Sequence, residues 1–332
     1  MKKITIKDIA RELGIHHTTV SRALRNHTDV KSNTRDLVLN KAKEMKYIQN
    51  TFAVGLRNNQ SKNIGILVPS IQPHFFSSTI SAITNLAHTK GFSVMIFQSN
   101  EDVSLEKKNI TAMMEHGVAG VIASPSLTTE NTDHFNQLKE FHIPLVLFDR
   151  VPDDSHFHRI KVDNFDAGFQ ATSYLIKNGQ TEISFFTSKE PVSVFQQRVK
   201  GYESAMDKNK LKSHVDVGDI TFGDGYQRAA QLINAKKLPR AILCATDQLA
   251  LGMMKAFQKF QIKVPTDIAI IGFDDDPAGE LVQPSLSTMA QPISEIAKYT
   301  FDALLRKIEH PSDPREEETT LKMKFIKRES TP

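Results

Sequence analysis

The side chains best suited to chemistry in this sequence are histidines and carboxylates at short spacing. His16 and His17 are adjacent, and residues 274–276 are three consecutive aspartates. The aspartate run lacks the alternating spacing of a calcium-binding loop. The histidine pair has no cysteine to complete a metal site, because Cys244 is the only cysteine in the chain. The sequence therefore predicts no metal site and no internal disulfide.

Catalytic signatures are missing as well. The sequence contains no GxxxxGK[ST] loop, no GxGxxG after a strand, no GxSxG and no HExxH. Since no nucleophile and base stand at a diagnostic spacing, we expect neither an enzyme nor a protein that needs a cofactor. The two histidines are better interpreted as parts of a helix that contacts a partner.

The charge distribution indicates what that helix contacts. Residues 1–60 carry 12 Lys and Arg against 5 Asp and Glu, whereas the remaining residues carry 30 against 33. A basic segment attached to a mildly acidic remainder indicates that the basic part meets a polyanion. The sequence has no run of roughly 18 apolar residues that could span a membrane and no secretory signal. We therefore expect a cytoplasmic protein with no membrane partner.

Helical periodicity predicts three short helices in the basic segment. Apolar residues recur at helical spacing over 6–13, 20–24 and about 33–45, and Thr5 and Gly14 bracket the first run as N-cap and terminating glycine. Two short helices joined by a tight turn with a glycine form a helix-turn-helix. In that motif the second helix enters the major groove of DNA and contacts base edges through its N-terminal residues.

The second helix carries polar side chains beside its apolar face. Arginine can pair with guanine, and threonine can contact a thymine methyl group, so the expected base contacts are His17, Thr18 and Arg22. His16 precedes them at the N-cap position. Contacts to phosphate, which orient a domain without reading sequence, are expected from Thr5, Ser21, Arg25, Thr34 and Arg35.

A polar linker follows, "YIQNTFAVGLRNNQSKN", with one short helical possibility over 51–57. Its leucine, Leu56, stands beside Arg57. Proteins that bend DNA insert apolar wedges between base steps of the minor groove, with basic residues alongside. We therefore expect Ala53, Leu56 and Arg57 to contact the minor groove.

From residue 62 onward, apolar runs alternate with helical patterns. This alternation predicts parallel sheets covered on both faces by helices. The predicted strands are 64–68, 93–97, 118–123, 145–148, 183–186, 241–244 and 268–271. Ligands of such sheets bind beyond the carboxyl ends of the strands. Aromatic and charged residues follow several of these strands, and together they suit a small polar ligand such as a carbohydrate.

The sequence resembles the lactose-repressor (LacI) family of bacterial transcription regulators. The matching segments run in order along the chain and include "TIKDIARELGI", "TTVSRALRN", "AVGLR", "NIGILVPSIQPHFF", "VDNFDAG", "ATDQLALGMMKA" and "IAIIGFDDDP". The resemblance implies an all-α helix-turn-helix head and a two-lobed α/β body of the periplasmic-binding-protein-like fold, with two parallel sheets in Rossmann-like lobes. It places the head at 1–48, a hinge helix and linker at 49–61, and the body at 62–332, with lobes at 62–162 plus 292–322 and at 163–291 plus 323–332.

The resemblance also implies a function and an effector cleft. We expect a homodimer that binds double-stranded operator DNA, acts as a repressor and responds to a small-molecule effector, most simply a carbohydrate. The residues at the positions that line the family's cleft are Phe75, Phe76, Asp149, Arg198, Thr246, Asp247 and Asp274. The chain departs from the family's usual residues at His16, a serine cap in the family, and at Thr246, where the family has asparagine.

Plainer interpretations remain open at this stage. Asp149 and Asp247 could cap the helices that follow them, and one of the two phenylalanines could belong to the core. For the whole protein, the alternative is a soluble carbohydrate-binding module without DNA-linked regulation.

Overall fold

The computed structural model describes residues 4–47, 61–152, 155–190, 192–312 and 315–332. The chain divides into two compact units after residue 60. The predicted minor-groove contacts Ala53, Leu56 and Arg57 lie outside the described residues.

The first unit is a domain of three helices. They are α1 (Ile6–Leu13), α2 (His17–Leu24) and α3 (Ser32–Glu44). Thr5 starts α1, because its backbone N–H and its hydroxyl both donate to the Asp8 carboxylate, at 2.9 and 2.7 Å. Gly14 ends α1 with φ 64°, a left-handed conformation that favours glycine. The predicted helix-turn-helix is therefore confirmed.

The core of this domain is small. Ile9, Val20 and Val38, one from each helix, are fully buried. Leu37 was part of the apolar pattern of the third helix, yet 61% of its surface is exposed. Neighbouring residues on a helix point about 100° apart, so Val38 takes the inward position and Leu37 does not.

The second unit contains two six-stranded sheets. The strands are β1 (Asn63–Val68), β2 (Ser93–Gln98), β3 (Gly120–Ala123), β4 (Leu145–Phe148), β5 (His158–Val162), β6 (Ile183–Ser188), β7 (His214–Gly218), β8 (Ala241–Cys244), β9 (Ala269–Phe273), β10 (Ser287–Ala290), β11 (Glu318–Leu321) and β12 (Lys324–Ile326). Sheet A has the order β11-β5-β4-β3-β1-β2, and sheet B has the order β12-β10-β9-β8-β6-β7. Among these described strands only β10 and β12 pair antiparallel.

Helices connect the strands. They are α4 (His74–Thr89), α5 (Val103–Glu115), α6 (Asn136–Glu140), α7 (Asn164–Lys177), α8 (Ser193–Lys208), α9 (Phe222–Asn234), α10 (Asp247–Lys259), α11 (Ala278–Leu281) and α12 (Ile293–Glu309). The chain leaves sheet A after β5, returns to it for β11 and ends in sheet B with β12. Central strands such as β3 and β8 are buried along their whole length, as expected for parallel sheets covered on both faces. The predicted two-sheet α/β body is confirmed.

Within the described ranges, no helix combines the length and the apolar character that crossing a bilayer requires.

Helices α9 and α10 approach each other more closely than side chains usually permit. A Cβ atom on Gly225 would overlap the carbonyl oxygen of Leu249, and one on Gly252 would overlap that of Phe222. Both obstacles are backbone atoms, which cannot turn aside as the end of a flexible side chain can. The two glycines therefore fix the distance between these helices.

We predict that Gly252→Ala destabilises the body, because the added methyl group forces α9 and α10 apart. Overpacking of this kind costs about 1–3 kcal/mol or more, which a lower melting temperature of the body would reveal. Gly223→Ala, in α9, is the matched control, since its Cβ would meet only the Thr221 hydroxyl at an ordinary 3.7 Å. Equal melting temperatures for the two variants would contradict the close-packing role.

Candidate functional site

One face of α2 carries the side chains expected to read DNA. His17, Thr18, Ser21, Arg22 and Arg25 follow one another at spacings that place them on one side of the helix. Thr18, Arg22 and Arg25 are exposed, and the other two are partly exposed. The opposite face of α2 packs into the domain core through its apolar residues. The structure therefore leaves this polar face open to a partner.

Local hydrogen bonds already orient several of these side chains. The Nδ1 atom of His16 lies 2.8 Å from the Thr18 hydroxyl and accepts a long bond from the Thr18 backbone N–H at 3.5 Å. His16 thus caps α2 where the family has serine. Arg25 donates to the backbone oxygen of Ser21 at 3.0 Å and to its hydroxyl at 2.9 Å. This pairing places the Ser21 hydroxyl beside the Arg25 guanidinium. The expected contact of both groups with phosphate is compatible with that arrangement.

Arg22 is held by a weak surface interaction. Its Nη1 atom lies 3.0 Å from Asp29 Oδ2, and both side chains are exposed. His27 contacts the same carboxylate, with 3.1 Å between its Nδ1 atom and Asp29 Oδ1. An exposed ion pair contributes about 0–1 kcal/mol. A base edge can therefore displace Asp29 from Arg22 at small cost.

Arg35, an expected phosphate contact, has a structural partner in the structure. Its Nη2 atom donates to the carbonyl oxygens of His27 and Val30, at 2.8 and 3.2 Å. Arg35 therefore holds the turn between α2 and α3. Thr34, the neighbouring expected contact, is partly exposed on α3.

A second group of candidate residues lies where the parallel strands end. Asp149 follows β4 of sheet A, whereas Thr246, Asp247 and Asp274 follow β8 and β9 of sheet B. Arg198 of α8 lies between the sheets, with its Nη2 atom 3.6 Å from Asp274 Oδ1. Asp149 also lines one cavity with Asn164, Val194 and Gln197, the last two of which belong to α8. The carboxyl ends of the two sheets thus meet in one cleft.

Arg198 is the most constrained side chain of this cleft. It is buried, and its Nε and Nη1 atoms donate to Asn164 Oδ1 at 2.9 Å and to the carbonyl oxygen of Ala245 at 2.6 Å. Its guanidinium lies 4.5 Å from the centre of the Phe273 ring. The backbone of α8 at Arg198 packs directly against Gly168 of α7. The approach is so close that a Cβ atom on Gly168 would overlap the Arg198 carbonyl oxygen. The guanidinium therefore presents its remaining N–H groups from a fixed position.

Burial makes the carboxyl groups of the cleft hard to ionise. It raises the pKa of Asp149 to about 6, against the opposing charges of Arg150 and Arg198. Burial also raises the pKa of Asp274, which Arg198 partly counteracts. The cleft thus places two carboxyl groups with raised pKa values beside one guanidinium. Groups of this kind favour a ligand with hydroxyls, which can donate to a carboxylate and accept from an arginine.

Asp247 has a structural function that the sequence did not reveal. Its carboxylate accepts hydrogen bonds from the Thr288 hydroxyl at 2.8 Å and from the backbone N–H of Asp276 at 2.7 Å. The cap of α10 is instead Thr246, whose hydroxyl accepts from the backbone N–H of Leu249 at 3.3 Å. The interpretation of Asp247 as a helix cap is wrong, because one of its oxygens holds the loop after β9 and the other holds β10.

The two phenylalanines form an aromatic wall with a third ring. Phe75 and Phe76 meet edge to face with 5.1 Å between ring centres, and both lie within 6.5 Å of Phe148. Both are buried, so the assignment of only one of them to the core is wrong. Arg150 covers the Phe76 ring at 5.3 Å.

Sequence reasoning missed two polar residues of this cleft, and both follow strands that it did not predict. Asn164, which orients Arg198, comes shortly after β5. Gln291 directly follows β10 and donates to Asp274 Oδ1 at 3.2 Å. Its buried Oε1 atom has no partner among the described residues. The rule that ligands bind after strands would have found both, had β5 and β10 been recognised.

Comparison with known proteins matches the two parts of the chain separately. Residues 5–50 match the family described as bacterial regulatory proteins, lacI family. Residues 172–331 match a periplasmic binding protein-like domain. Catabolite control protein A of Priestia megaterium is 30% identical over 308 residues, which cover 91% of this chain and 92% of that protein.

Solved structures are similar over most of the chain. The lac repressor dimer bound to operator and the anti-inducer ONPF aligns with a TM-score of 0.87 and 25% identity, covering 99% of each chain. A periplasmic binding protein/LacI transcriptional regulator from Alkaliphilus metalliredigens QYMF, complexed with D-xylulofuranose, aligns with a TM-score of 0.73 and 28% identity. That alignment covers 82% of this chain and 100% of the other.

We predict a pH-dependent stability that originates at Asp149. A carboxyl whose pKa is raised in the folded state, here from 3.8 to about 6, destabilises the fold once it must ionise. Stability is therefore lost as the pH rises from about 4 to about 6, by up to about 3 kcal/mol. Asp149→Asn removes this cost. It should raise the melting temperature most at pH 8 and progressively less as the pH falls to 4.5.

Asp302→Asn, at an exposed carboxylate of α12, is the control for this measurement. Its melting curve against pH should run parallel to that of the unaltered chain. A parallel curve for Asp149→Asn as well would show that this carboxyl is not the source of the pH dependence.

Proposed function

The chain belongs to the lacI family of bacterial regulatory proteins, and on that premise we propose that it is a homodimeric repressor controlled by a small carbohydrate. A protein of this family is a DNA-binding transcription regulator with an effector-binding domain. What carries the proposal is the presence in one chain of an open, basic recognition helix and a cluster of the buried Arg198 with the partly buried Asp149 and Asp274. We place the protein in the cytoplasm, where it can reach both DNA and a metabolite.

DNA is read by α2 in this proposal. Its exposed face lies in the major groove, where Arg22 pairs with a guanine and His17 and Thr18 contact neighbouring bases. Ser21 and Arg25, together with Thr5, Thr34 and Arg35, bind phosphates and fix the orientation of the helix. The weak Arg22–Asp29 pair supports this assignment, because it keeps the guanidinium extended without binding it tightly.

A second copy of the chain completes the regulator. Leu281 exposes 86% of its surface, and Ile71, Ile96 and Phe222 are exposed as well. Single exposed apolar side chains are also common on monomeric proteins, so these residues do not locate an interface by themselves. The dimer is supported by the similar lac repressor structure, which is described as a dimer. In a two-fold dimer the same surface serves both copies.

The effector occupies the cleft between the sheets. A neutral sugar suits a largely buried site that offers a guanidinium, two carboxyls, an aromatic wall at Phe75 and Phe76, and a Gln291 oxygen without a partner among the described residues. A similar regulator is described as complexed with D-xylulofuranose. The chemistry of the side chains and this likeness support the same class of ligand.

Effector binding reaches DNA through the segment that joins head and body. Ala53, Leu56 and Arg57 enter the minor groove, with Leu56 as the wedge. A ligand that prefers one arrangement of the two sheets shifts the population towards it and changes how closely the two hinges approach. Effector and operator affinities are then reciprocally coupled.

The DNA-binding half is tested by selecting preferred sites from randomised duplexes. We expect an inverted repeat, since a two-fold dimer presents two α2 helices to successive major grooves. Arg22→Ala should cost about 1–3 kcal/mol at one base pair of each half-site, measured by fluorescence anisotropy with single-base variants. Arg11→Ala, at an exposed arginine of α1, is the matched control and should leave base preference unchanged.

Two outcomes would contradict these assignments. A selected site without an inverted repeat excludes the dimer as the binding form. A loss that is uniform over all sequences makes Arg22 a phosphate contact rather than a base reader.

The effector half is tested by thermal shift with D-ribose, D-xylulose, D-glucose, D-galactose and D-glucuronate. We expect a neutral sugar to raise the melting temperature and to change affinity for the selected operator by about 5–150-fold. Asp274→Asn should lower the affinity for that sugar at least about tenfold, because it removes the charge opposite Arg198. It should leave operator binding without sugar unchanged. A stabilising sugar with no effect on operator affinity would refute the coupling.

A further inference from the structure

The amino-terminal edge of sheet B carries a dense group of basic residues. The four turns that lead into β6, β7, β8 and β9 read "KNGQTE" (177–182), "DKNKLKS" (207–213), "AKKLPR" (235–240) and "KFQIKVPTD" (259–267). We call these four turns the basic edge. They hold nine Lys and Arg against three Asp and Glu, whereas the body as a whole, residues 61–332, carries 30 against 33. The excess of positive charge is therefore local.

The turns of the basic edge lie side by side. The strand order β9-β8-β6-β7 makes them neighbours. The backbone N–H of Arg240 donates to the carbonyl oxygen of Glu182 at 2.9 Å, and the Arg240 carbonyl oxygen accepts from the backbone N–H of Ala269 at 3.0 Å. Adjacent strands lie roughly 4.8 Å apart, so four strand ends form a row of about 15 Å. All nine basic side chains in this row are exposed.

These cations are not neutralised by the chain itself. None of the nine pairs with a carboxylate in the ranges that the structure describes. At the opposite edge of the same sheet, by contrast, Lys189 is paired, with 2.9 Å between its Nζ atom and Asp219 Oδ1. One carboxylate of the basic edge, Asp267, accepts from the backbone N–H of Lys263 at 2.8 Å. Like charges gathered in this way repel one another, and an external anion relieves that repulsion.

Helix ends explain only part of the excess. Lysines are favourable in the last turn of a helix, where the carbonyl groups carry partial negative charge. Lys177, Lys208 and Lys259 occupy that position in α7, α8 and α10. The other six basic residues lie beyond the last turn of the preceding helix, where the effect of the helix dipole has faded. A helix terminus therefore does not account for them.

The chemistry of the basic edge fits a nucleic acid duplex. Eight of its nine cations are lysines, which bind phosphate as point charges and so carry no base preference. A duplex presents one negative charge per about 1.7 Å of its axis, so about 15 Å of duplex carries roughly nine phosphates. A lipid surface also takes up apolar side chains, and Phe260 is the one large apolar side chain that these turns expose.

We propose that the basic edge binds a second segment of double-stranded DNA, without sequence preference, while the head holds an operator. Lysine ammonium groups of the four turns contact phosphate oxygens of this second segment. The chain belongs to a family of DNA-binding regulators, so duplex DNA is the polyanion that it meets. The inference goes beyond the proposed function and depends neither on the effector nor on Arg198.

A capture assay with the full-length chain tests this proposal. Beads that carry the selected operator are saturated with the chain, and a short fluorescent duplex of mixed sequence is added. We expect loaded beads to bind it and bare operator beads not to. Its affinity should fall on the order of 100-fold between about 50 and about 200 mM salt, as expected for four phosphate contacts. Lys236→Glu/Lys237→Glu should weaken capture at least about tenfold and leave retention of the chain on the operator unchanged.

Lys107→Glu/Lys108→Glu is the matched control, because these lysines are also adjacent and exposed but lie on α5. It makes the same change in net charge and should capture the duplex as the unaltered chain does. An equal loss of capture in both variants would overturn the proposal, since net charge alone would then explain it. So would normal capture by Lys236→Glu/Lys237→Glu, or no capture by the unaltered chain.

Two competitors distinguish DNA from other anionic partners. Poly-glutamate and phosphatidylglycerol vesicles are added at the same concentration of negative charge as the duplex. If either displaces the duplex from the loaded beads, the basic edge is a site for an acidic polypeptide or a lipid surface, and the proposal fails. Beads that retain no chain would instead refute operator binding by the head. The basic edge is then measured by fluorescence anisotropy of the mixed-sequence duplex with the same two variants.

Discussion

The buried guanidinium of Arg198 is the interaction on which the body depends. It joins the start of α7 through Asn164, the end of β8 through Ala245 and the end of β9 through Asp274. A buried charge that loses its partners costs several kcal/mol, so these segments must remain together around it. The charge of Asp149, which follows a strand of the other sheet, also acts on this guanidinium. Under the proposed function, a ligand bound at Arg198 would therefore act on residues of both sheets.

The head follows a different physical principle. Its core is small, and its surface contacts are exposed bonds such as Arg22–Asp29 and Arg25–Ser21. Such bonds are worth little in water, so they orient side chains without opposing their transfer to DNA. The buried bonds of Arg198 and the exposed bonds of α2 therefore differ in strength. Under the proposed function, the first set positions groups for a small molecule, and the second can be exchanged for contacts with DNA.

Much of the fold and part of the cleft could be predicted from local sequence. The predicted strands are nearly continuous apolar runs, as in β3 and β8, because burial on both faces leaves no polar position. The strands that were missed, such as β5 ("HRIKV") and β10 ("STMA"), mix polar and apolar residues. Their polar groups are satisfied by tertiary partners that no local pattern shows. Asn164 and Gln291 were missed for the same reason, since each was hidden behind an unrecognised strand.

By itself, the sequence determined the helix-turn-helix, the parallel α/β body, the basic head and the strand-end position of Asp149, Asp247 and Asp274. These follow from periodicity, charge and the polarity of parallel strands, and the division of the body into two sheets came from the family resemblance. Only the tertiary structure decided that Asp247 holds a loop and that Phe165 lies open beside a cavity. Those outcomes depend on which residues, far away in the sequence, bond to and pack against a given side chain. These partners are determined only when the chain folds and brings the distant segments together.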